Sequence, residues 1–331
     1  MKSSLVVTTI NHPTEALIML AEGALKNSVD LIIVGDTKTP SDFKLSGSSF
    51  FSYDSQLSLP YKYSSSCPTK HYCRKNIGYL IAMSNYSDVI IETDDDNLPY
   101  ANFWTQPTFV NKLPISPKAN HVNIYQYFSD ESIWPRGFPL ELVNARFDFD
   151  NLLLTEVFTP IIQGLANTNP DVDAIYRLTS KLPIDFVKNK SIALDIGSFC
   201  PFNSQNTTWS SCAFPLLYLP AYCSFRMTDI WRSFVAQRIA FEYGWSVLFM
   251  SPTVWQDRNE HNLMSDFIDE IPGYKNNLNI VDQLCALSLD PSETEIISNL
   301  RKCYELFVAL GLVDEDELKL LELWNSFFID S

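Results

Sequence analysis

The chain has 331 residues, enough for one large domain or for one domain with an appendage. Hydrophobic residues make up 46% of it and aromatic residues 13%, which supports a sizeable core and excludes a disordered chain. The formal net charge of −15 argues against general binding to nucleic acids or anionic membranes, because such proteins present basic surfaces.

The cysteines and the hydropathy of the chain bear on its compartment. The seven cysteines form no Cys-x-x-Cys pair, and a core of this size does not need disulfide staples. The apolar run at the N-terminus is too short for a signal peptide, and no window of about 18 apolar residues predicts a transmembrane helix. We therefore expect a cytoplasmic protein, at most peripheral at a membrane, without a transmembrane segment.

The N-terminal part of the chain alternates between strand and helix patterns. Residues 5–10 and 31–34 are short apolar runs typical of strands, and residues 13–25 form a helix pattern with a proline near its start. Residues 74–83 carry apolar side chains at helical spacing and lead into another apolar run at residues 88–93. This alternation predicts an α/β protein with a parallel, doubly wound sheet.

The rest of the chain is less regular at first and then helical. Residues 122–127 and 213–220 are predicted as strands, residues 228–243 as a helix and residues 246–250 as a further strand. Helix patterns with capping residues fill residues 280–331.

This pattern predicts two parts, a main domain over residues 1–279 and a helical C-terminal appendage over residues 280–331. The helices of the appendage are amphipathic, and their apolar faces need cover. We expect them to pack on the main domain or on a second subunit, which would give a homodimer.

An acidic cluster, Asp94, Asp95 and Asp96, directly follows the apolar run at residues 88–93. A buried strand that ends in carboxylates places oxygen ligands at the edge of an α/β sheet where ligands bind. Adjacent carboxylates repel one another, and Mg²⁺ or Mn²⁺ relieves this repulsion while binding substrate phosphates. We therefore predict a metal site at Asp94 and Asp96. The alternative is a solvated acidic turn.

Two polar residues, Arg74 and Asn76, stand at the start of the helix that precedes the acidic cluster. Helix N-termini attract phosphate, and a guanidinium adds charge-assisted hydrogen bonds. Both residues are therefore predicted to contact a bound nucleotide. The alternative is an ordinary basic cap on a surface helix.

Two further candidates lie later in the chain. Asp229 begins a predicted helix, where it either caps the helix or takes a proton from a bound hydroxyl group. His261 lies in a polar segment behind a strand, where it is a third metal ligand, a phosphate contact or a structural hydrogen-bonding residue. No Ser-His-Asp, P-loop or Gly-x-Gly-x-x-Gly pattern appears, which argues against the common hydrolases, kinases and dehydrogenases.

Several motifs resemble known families. The segments RKNIGYL at residues 74–80 and IIETDDDNLP at residues 90–99 resemble the reversibly glycosylated polypeptides, which are UDP-arabinopyranose mutases of plants. The segments WPRGFPL, FRMTDIWR and WQDRNEHN, which begin at residues 134, 225 and 255, are closer to the glycosyltransferase-like domain of the plant STELLO proteins. The motifs occur in the same order along the chain as in these families.

The resemblance implies a GT-A fold, which is a Rossmann-like fold of nucleotide-diphospho-sugar transferases. It also implies a UDP-sugar donor, with Mn²⁺ or Mg²⁺ held by the acidic motif and with Asp94 and Asp95 at the donor. Arg136 matches the arginine that the mutases glycosylate reversibly. Seven residues later Val143 replaces a second arginine of their motif, which favours a transferase over a mutase.

The expected function is a metal-dependent glycosyltransferase with a UDP-sugar donor and a glycan or glycolipid acceptor, acting in the synthesis of a surface polysaccharide or glycolipid. Asp229 would orient or deprotonate the acceptor, Arg136 would act as a cation near the donor or acceptor, and His261 would complete the metal or phosphate shell. One alternative is a UDP-sugar mutase with reversible self-glycosylation. The other is a non-catalytic assembly factor that binds a partner enzyme through its helical tail.

Overall fold

The protein is described by a computed structural model that covers residues 1–257 and 262–329. The β-strands in these ranges are β1 Ser3–Thr8, β2 Asp30–Val34, β3 Ser49–Phe51, β4 Val89–Thr93, β5 Asn97–Pro99, β6 Val110–Pro114, β7 Leu154–Phe158, β8 Ile161–Asn167, β9 Ser191–Ala193, β10 Asn206–Ser210 and β11 Val247–Gln256. The α-helices are α1 Glu15–Asn27, α2 Tyr53–Leu57, α3 Lys62–Ser66, α4 Lys75–Ser84, α5 Tyr125–Phe128, α6 Ala174–Thr179, α7 Thr228–Glu242, α8 Leu263–Ala286, α9 Ile296–Ala309 and α10 Asp316–Ile329.

A mixed sheet organises the molecule, with the strand order β3-β2-β1-β4-β10-β8-β11-β5 and with β9 also paired to β11. Its first four strands are parallel, as the sequence predicts. Strand β10 is antiparallel to both of its neighbours, β4 and β8, so the expectation of a wholly parallel sheet is wrong. The α/β class is confirmed, and a mixed sheet with helices around it is consistent with a GT-A-type fold.

The alternation of side chains along β1 explains why the parallel half of the sheet carries helices on both faces. Leu5 and Val7 point into a core shared with α1, whereas Val6 points into a larger core shared with α4. Helix α4 comes very close to the strand at Gly78, where an added Cβ would lie 2.4 Å from a methyl group of Val6. Glycine is therefore required at this contact, because a larger residue would prevent α4 from packing so close to β1.

Two predicted strands in the middle of the chain are wrong. Residues 122–127 overlap the short helix α5, and residues 213–220 overlap a 3₁₀-helix, Ser211–Leu217. Both segments are largely buried, and a short apolar run does not by itself distinguish a buried strand from a buried helix. The helix predicted at residues 228–243 is confirmed as α7, and the strand predicted at residues 246–250 continues to Gln256 as β11.

The C-terminal helices pack on the body of the protein. The Trp324 ring on α10 is fully buried and lies within 6.1 Å of the Tyr63 ring and 5.8 Å of the Tyr218 ring. Its indole N–H donates to the carbonyl of Pro215, 3.1 Å away. Helix α8 runs through the division expected after residue 279, which stays a prediction, as does the homodimer.

Membrane-spanning segments are not found in the part of the chain that the structure describes. Every helix within residues 1–257 and 262–329 is too short or too polar to cross a bilayer.

The burial of Trp324 yields a stability prediction. Trp324→Ala should lower the free energy of unfolding by about 3–5 kcal/mol, because it leaves a cavity beside the rings of Tyr63 and Tyr218 and an unpaired carbonyl at Pro215. Ile329 lies on the same helix but is 71% exposed, so Ile329→Ala should change stability by less than about 0.5 kcal/mol. Urea unfolding followed by circular dichroism measures both changes. Equal effects would show that α10 does not share the main core.

Candidate functional site

A cavity of about 410 Å³ opens where β1, β2 and β4 end. Parallel strands bring their carboxyl ends to one edge of a sheet, and ligands of α/β proteins bind at that edge. Thr9 and Asn11 follow β1, Asp36 follows β2, and the acidic cluster follows β4. Roughly 300–1,000 Å³ is the usual volume of a small-molecule site, so the cavity is large enough for a nucleotide.

The carboxylate of Asp94 is already paired with a cation of the protein. Its Oδ1 accepts hydrogen bonds from the Tyr72 hydroxyl at 2.7 Å and from the Lys75 ammonium at 2.9 Å. The Lys75 side chain is fully buried, and its ammonium also donates to Tyr72 and to the carbonyl of Ser204. All three N–H groups of the ammonium are therefore used, and Lys75 holds Asp94 in one place.

The other two carboxylates of the cluster differ in how far they are satisfied. Asp95 Oδ2 accepts hydrogen bonds from Thr9 at 2.5 Å and Asn11 at 3.1 Å. Asp96 Oδ2 accepts one from Gln256 at 3.0 Å, whereas its Oδ1 is buried and receives no hydrogen bond from the described residues. Burial and the neighbouring carboxylates raise the pKa of Asp96 to about 7, and burial also raises the pKa of Asp95.

These observations fit a divalent cation bound together with a phosphate. A cation would stabilise two features of this cluster: a buried carboxylate oxygen that has no partner in residues 1–257 and 262–329, and the repulsion between neighbouring carboxylates. Mg²⁺ is commonly held by one or two carboxylates plus substrate phosphates, which suits Asp94 and Asp96. Among the described residues no group of three or more His, Cys, Asp or Glu side chains is arranged as a metal site. His261 lies outside the described residues.

Arg136 also lines the cavity, and hydrogen bonds account for all five of its N–H groups. Its Nε donates to Asp171 Oδ1 at 2.8 Å, and one terminal nitrogen donates to Asp171 Oδ2 and Asp229 Oδ2 at 2.9 and 2.8 Å. The other terminal nitrogen donates to Asp229 Oδ1 at 2.9 Å and to the carbonyl of Arg226. A guanidinium has five such donors, so none is left for a ligand.

The ion pair with Arg136 also sets the protonation state of Asp229. Burial alone would raise the pKa of Asp229, but the guanidinium and its hydrogen bonds outweigh burial and lower the pKa to about 2. A carboxylate this acidic, with both oxygens engaged, is a weak base at neutral pH. The prediction that Asp229 deprotonates an acceptor is therefore not supported. In the structure Asp229 pairs with Arg136, and the alternative, that it orients an acceptor, stays a prediction.

Arg74 and Asn76, the two residues at the start of α4 that were predicted to contact a nucleotide, lie in different surroundings. Arg74 borders the cavity, but its buried guanidinium donates to Gln56 and to the carbonyl of Cys67. Asn76 faces the protein core, where its amide bonds Tyr63 and both backbone groups of Leu219. The predicted donor contact of Asn76 is therefore not supported, and that of Arg74 stays a prediction.

Lys75, between these two residues, is the cation that reaches the acidic cluster. Adjacent residues of a helix point about 100° apart, so only one of three neighbours can face the sheet edge. The sequence pattern does not say which one. The sequence also does not identify Tyr72 and Asp171 as residues of the site. Each of them contacts a partner more than twenty residues away along the chain, so no local pattern reveals the contact.

Comparison with known proteins confirms the similarity to the STELLO proteins, whereas the similarity to the mutases stays a prediction. The sequence model of the family described as STELLO glycosyltransferases matches residues 226–329. From Arabidopsis thaliana, "Probable glycosyltransferase STELLO2" is 33% identical over 286 residues, which are 79% of this chain and 37% of that protein. "Probable glycosyltransferase STELLO1" is 32% identical over 271 residues, or 75% of this chain and 34% of that protein. The chain thus spans little more than a third of the length of these relatives.

A solved structure described as "Crystal Structure of a Mycobacterial Protein" also matches. The alignment covers 87% of this chain and 76% of that protein, at 10% sequence identity and a TM-score of 0.38. A likeness at this level carries no argument about function.

Because all five N–H groups of Arg136 donate hydrogen bonds, the residue yields a second stability prediction. Arg136→Lys keeps the charge but has three donors instead of five, so buried oxygens of Asp171 and Asp229 lose their partners. We expect a loss of about 3 kcal/mol or more in the free energy of unfolding. Arg301, whose side chain is 54% exposed, also pairs with carboxylates, and Arg301→Lys should cost less than about 0.5 kcal/mol. Chemical denaturation measures the free energy of unfolding of both variants. A similar small loss of stability in the two variants would contradict the prediction for Arg136.

Proposed function

Because the chain carries a STELLO-like glycosyltransferase domain, we propose that it transfers a sugar from a nucleotide-diphospho-sugar, in the first place a UDP-sugar, to an acceptor hydroxyl. The observation that carries this proposal is the acidic cluster at the end of β4, where the buried Oδ1 of Asp96 lies beside an open cavity and has no hydrogen-bond partner among the described residues. Such a site suits a diphosphate bound through a cation.

The polar groups around the cavity suit a nucleotide. Its nucleoside would lie between the loops after β1 and β2, which offer Thr9, Asn11 and Asp36, and its diphosphate would lie at the acidic cluster. The exposed Lys38 and Lys70 line the same cavity and would attract phosphate. These contacts support a nucleotide diphosphate as the ligand class.

Asp94 and Asp96 would hold Mg²⁺ or Mn²⁺, which when bound neutralises charge on the leaving diphosphate. Hydrogen bonds within the protein already hold part of this site without a ligand. Lys75 fixes Asp94, and Thr9 and Asn11 fix Asp95, so two of the three carboxylates are held in place before binding.

The finer features of the function belong to the same proposal. A glycan or glycolipid would supply the acceptor hydroxyl, and the product would contribute to a surface polysaccharide or glycolipid. Because Asp229 and Asp171 are engaged with Arg136, their contribution is to shape the wall of the cavity that faces the donor.

The two alternative functions receive less support. Self-glycosylation in a mutase would require Arg136 to release a nitrogen from two carboxylates before reacting, and a protonated guanidinium is already a poor nucleophile. An assembly factor with a free helical tail is disfavoured because Phe307, Leu321 and Trp324 of the tail are buried in the body of the protein.

Asp96 provides the direct test of the donor site. Asp96→Asn keeps the size of the side chain but removes the charge, so we expect metal-dependent binding of UDP to weaken by at least about tenfold. Asp42→Asn at an exposed position is the matched control and should bind as the wild type does. Isothermal titration calorimetry with UDP, with and without MnCl₂, measures the affinities. Equal Mn²⁺-dependent affinity in the Asp96 variant and the wild type would count against the proposed site.

Arg136 distinguishes a transferase from a mutase. Because all five of its N–H groups are engaged, incubation with UDP-sugars should leave the intact mass of the protein unchanged. Intact-protein mass spectrometry makes the measurement, with the Arg136→Lys variant as the control. A stoichiometric pentose or hexose adduct that is present in the wild type and absent from this variant would instead support the mutase.

A further inference from the structure

The segment of residues 221–226, here called the aromatic wall, precedes α7 and contributes Phe225 and Arg226 to the lining of the cavity. Phe225 lines the cavity and is 50% exposed, although it is a large apolar residue. Its ring lies edge-on to the rings of His71 and Tyr72, with centroids 5.6 and 6.3 Å away. The backbone N–H of His71 donates to Asp36, which places Phe225 on the side of the cavity reached from β2.

A buried carboxylate of α10 holds the first part of the aromatic wall. Glu317 is fully buried, and one of its oxygens accepts the backbone N–H groups of Ala221 at 2.9 Å and Tyr222 at 2.6 Å. Its other oxygen accepts the hydroxyl of Tyr218. The backbone N–H of Asp314, just before the same helix, donates to the carbonyl of Tyr222 at 3.1 Å.

A second buried carboxylate, on α8, holds the far end of the wall. Glu270 is fully buried and accepts Arg226 Nε at 2.9 Å. It also accepts the backbone N–H of Ala174 at 2.7 Å and the hydroxyl of Tyr274 at 2.5 Å. Between the two carboxylates, the hydroxyl of Ser224 donates to the carbonyl of Asp269 in α8.

Burying two carboxylates is costly unless each is well hydrogen-bonded, and an apolar side chain would cover the same surface at lower cost. The two carboxylates instead fix the orientation of the aromatic wall, because each accepts hydrogen bonds from backbone or guanidinium N–H groups of that segment. The segment they fix carries an exposed aromatic ring into the cavity. The cost of burial therefore points to a ligand contact by that ring.

We propose that Phe225 stacks on the nucleoside of the bound donor and that Glu270 and Glu317 are positioning residues that hold it there. This inference rests on the proposed donor site and adds to it the face that recognises the nucleobase. An aromatic side chain and a nucleobase stack through their flat faces, largely independently of hydrogen bonding. The proposal also gives the C-terminal helices a role at the site.

Calorimetry with UDP and MnCl₂ tests the contact. Phe225→Ala should weaken binding about tenfold, and Phe225→Tyr should retain it. UMP should show the same loss as UDP and UDP-glucose, since all three share the nucleoside. A loss seen only with UDP-glucose would assign Phe225 to the sugar and overturn the nucleoside contact.

A double-mutant cycle tests the positioning role. Glu317→Gln should weaken UDP binding roughly tenfold in the wild type but have no further effect in the Phe225→Ala background. Glu322 on the same helix has a 60% exposed side chain, so Glu322→Gln is the matched control and should not alter binding. Additive losses from Phe225 and Glu317 would overturn the positioning role. If Glu317→Gln fails to fold, the same cycle is run with Glu270→Gln.

Hydrogen exchange of the free protein separates this inference from the donor proposal. In the absence of ligand, Glu317→Gln should speed hydrogen exchange at the backbone amides of Ala221 and Tyr222, because both donate hydrogen bonds to the Glu317 carboxylate. Unchanged protection would overturn the positioning role. Wild-type protein that binds no UDP would overturn the donor proposal and with it the stacking contact. Wild-type binding with an unaffected Phe225→Ala variant would overturn the stacking contact alone.

Discussion

The pairing of Arg136 with Asp171 and Asp229 is the interaction on which the cavity depends. Removing a guanidinium from water is costly, and two carboxylates with matched geometry offset that cost here. The three residues come from separate parts of the chain, and Asp229 also accepts the backbone N–H of Ser204 just before β10. The ion pairs therefore join the start of α7, the loop before α6 and the central sheet at one point.

The two acidic groups that face the cavity differ in a way that suggests their roles. Around Arg136 the carboxylates are paired, and the pKa of Asp229 is lowered to about 2. At the end of β4 the described residues place one cation, Lys75, against Asp94, and burial together with the neighbouring carboxylates raises the pKa of Asp96 to about 7. Both carboxylates of the first group are hydrogen-bonded to one guanidinium, whereas the second group includes a buried carboxylate oxygen that has no partner among the described residues and would gain from an added cation. A ligand that brings a cation would therefore bind at the second group.

The C-terminal helices belong to the same physical unit as the cavity. Their aromatic side chains fill the main core, and their buried carboxylates Glu270 and Glu317 hold the segment that leads into α7. The part of the chain that matches the STELLO family, residues 226–329, likewise contains both Asp229 and these helices. The amphipathic C-terminal helices therefore bury their apolar faces against the body of the protein.

The sequence alone determined the features that depend on neighbouring residues. Apolar runs and helical spacing predicted the α/β alternation, α4, α7 and the C-terminal helices, and the acidic cluster was located because it directly follows its strand. The tertiary structure decided the rest. Arg136 meets partners 35 and 93 residues away, β10 enters the sheet in the opposite direction, and Lys75 rather than Asn76 reaches the carboxylates. Such contacts depend on where distant segments cross and on which way a helix is rotated, and no local pattern of residues carries that information.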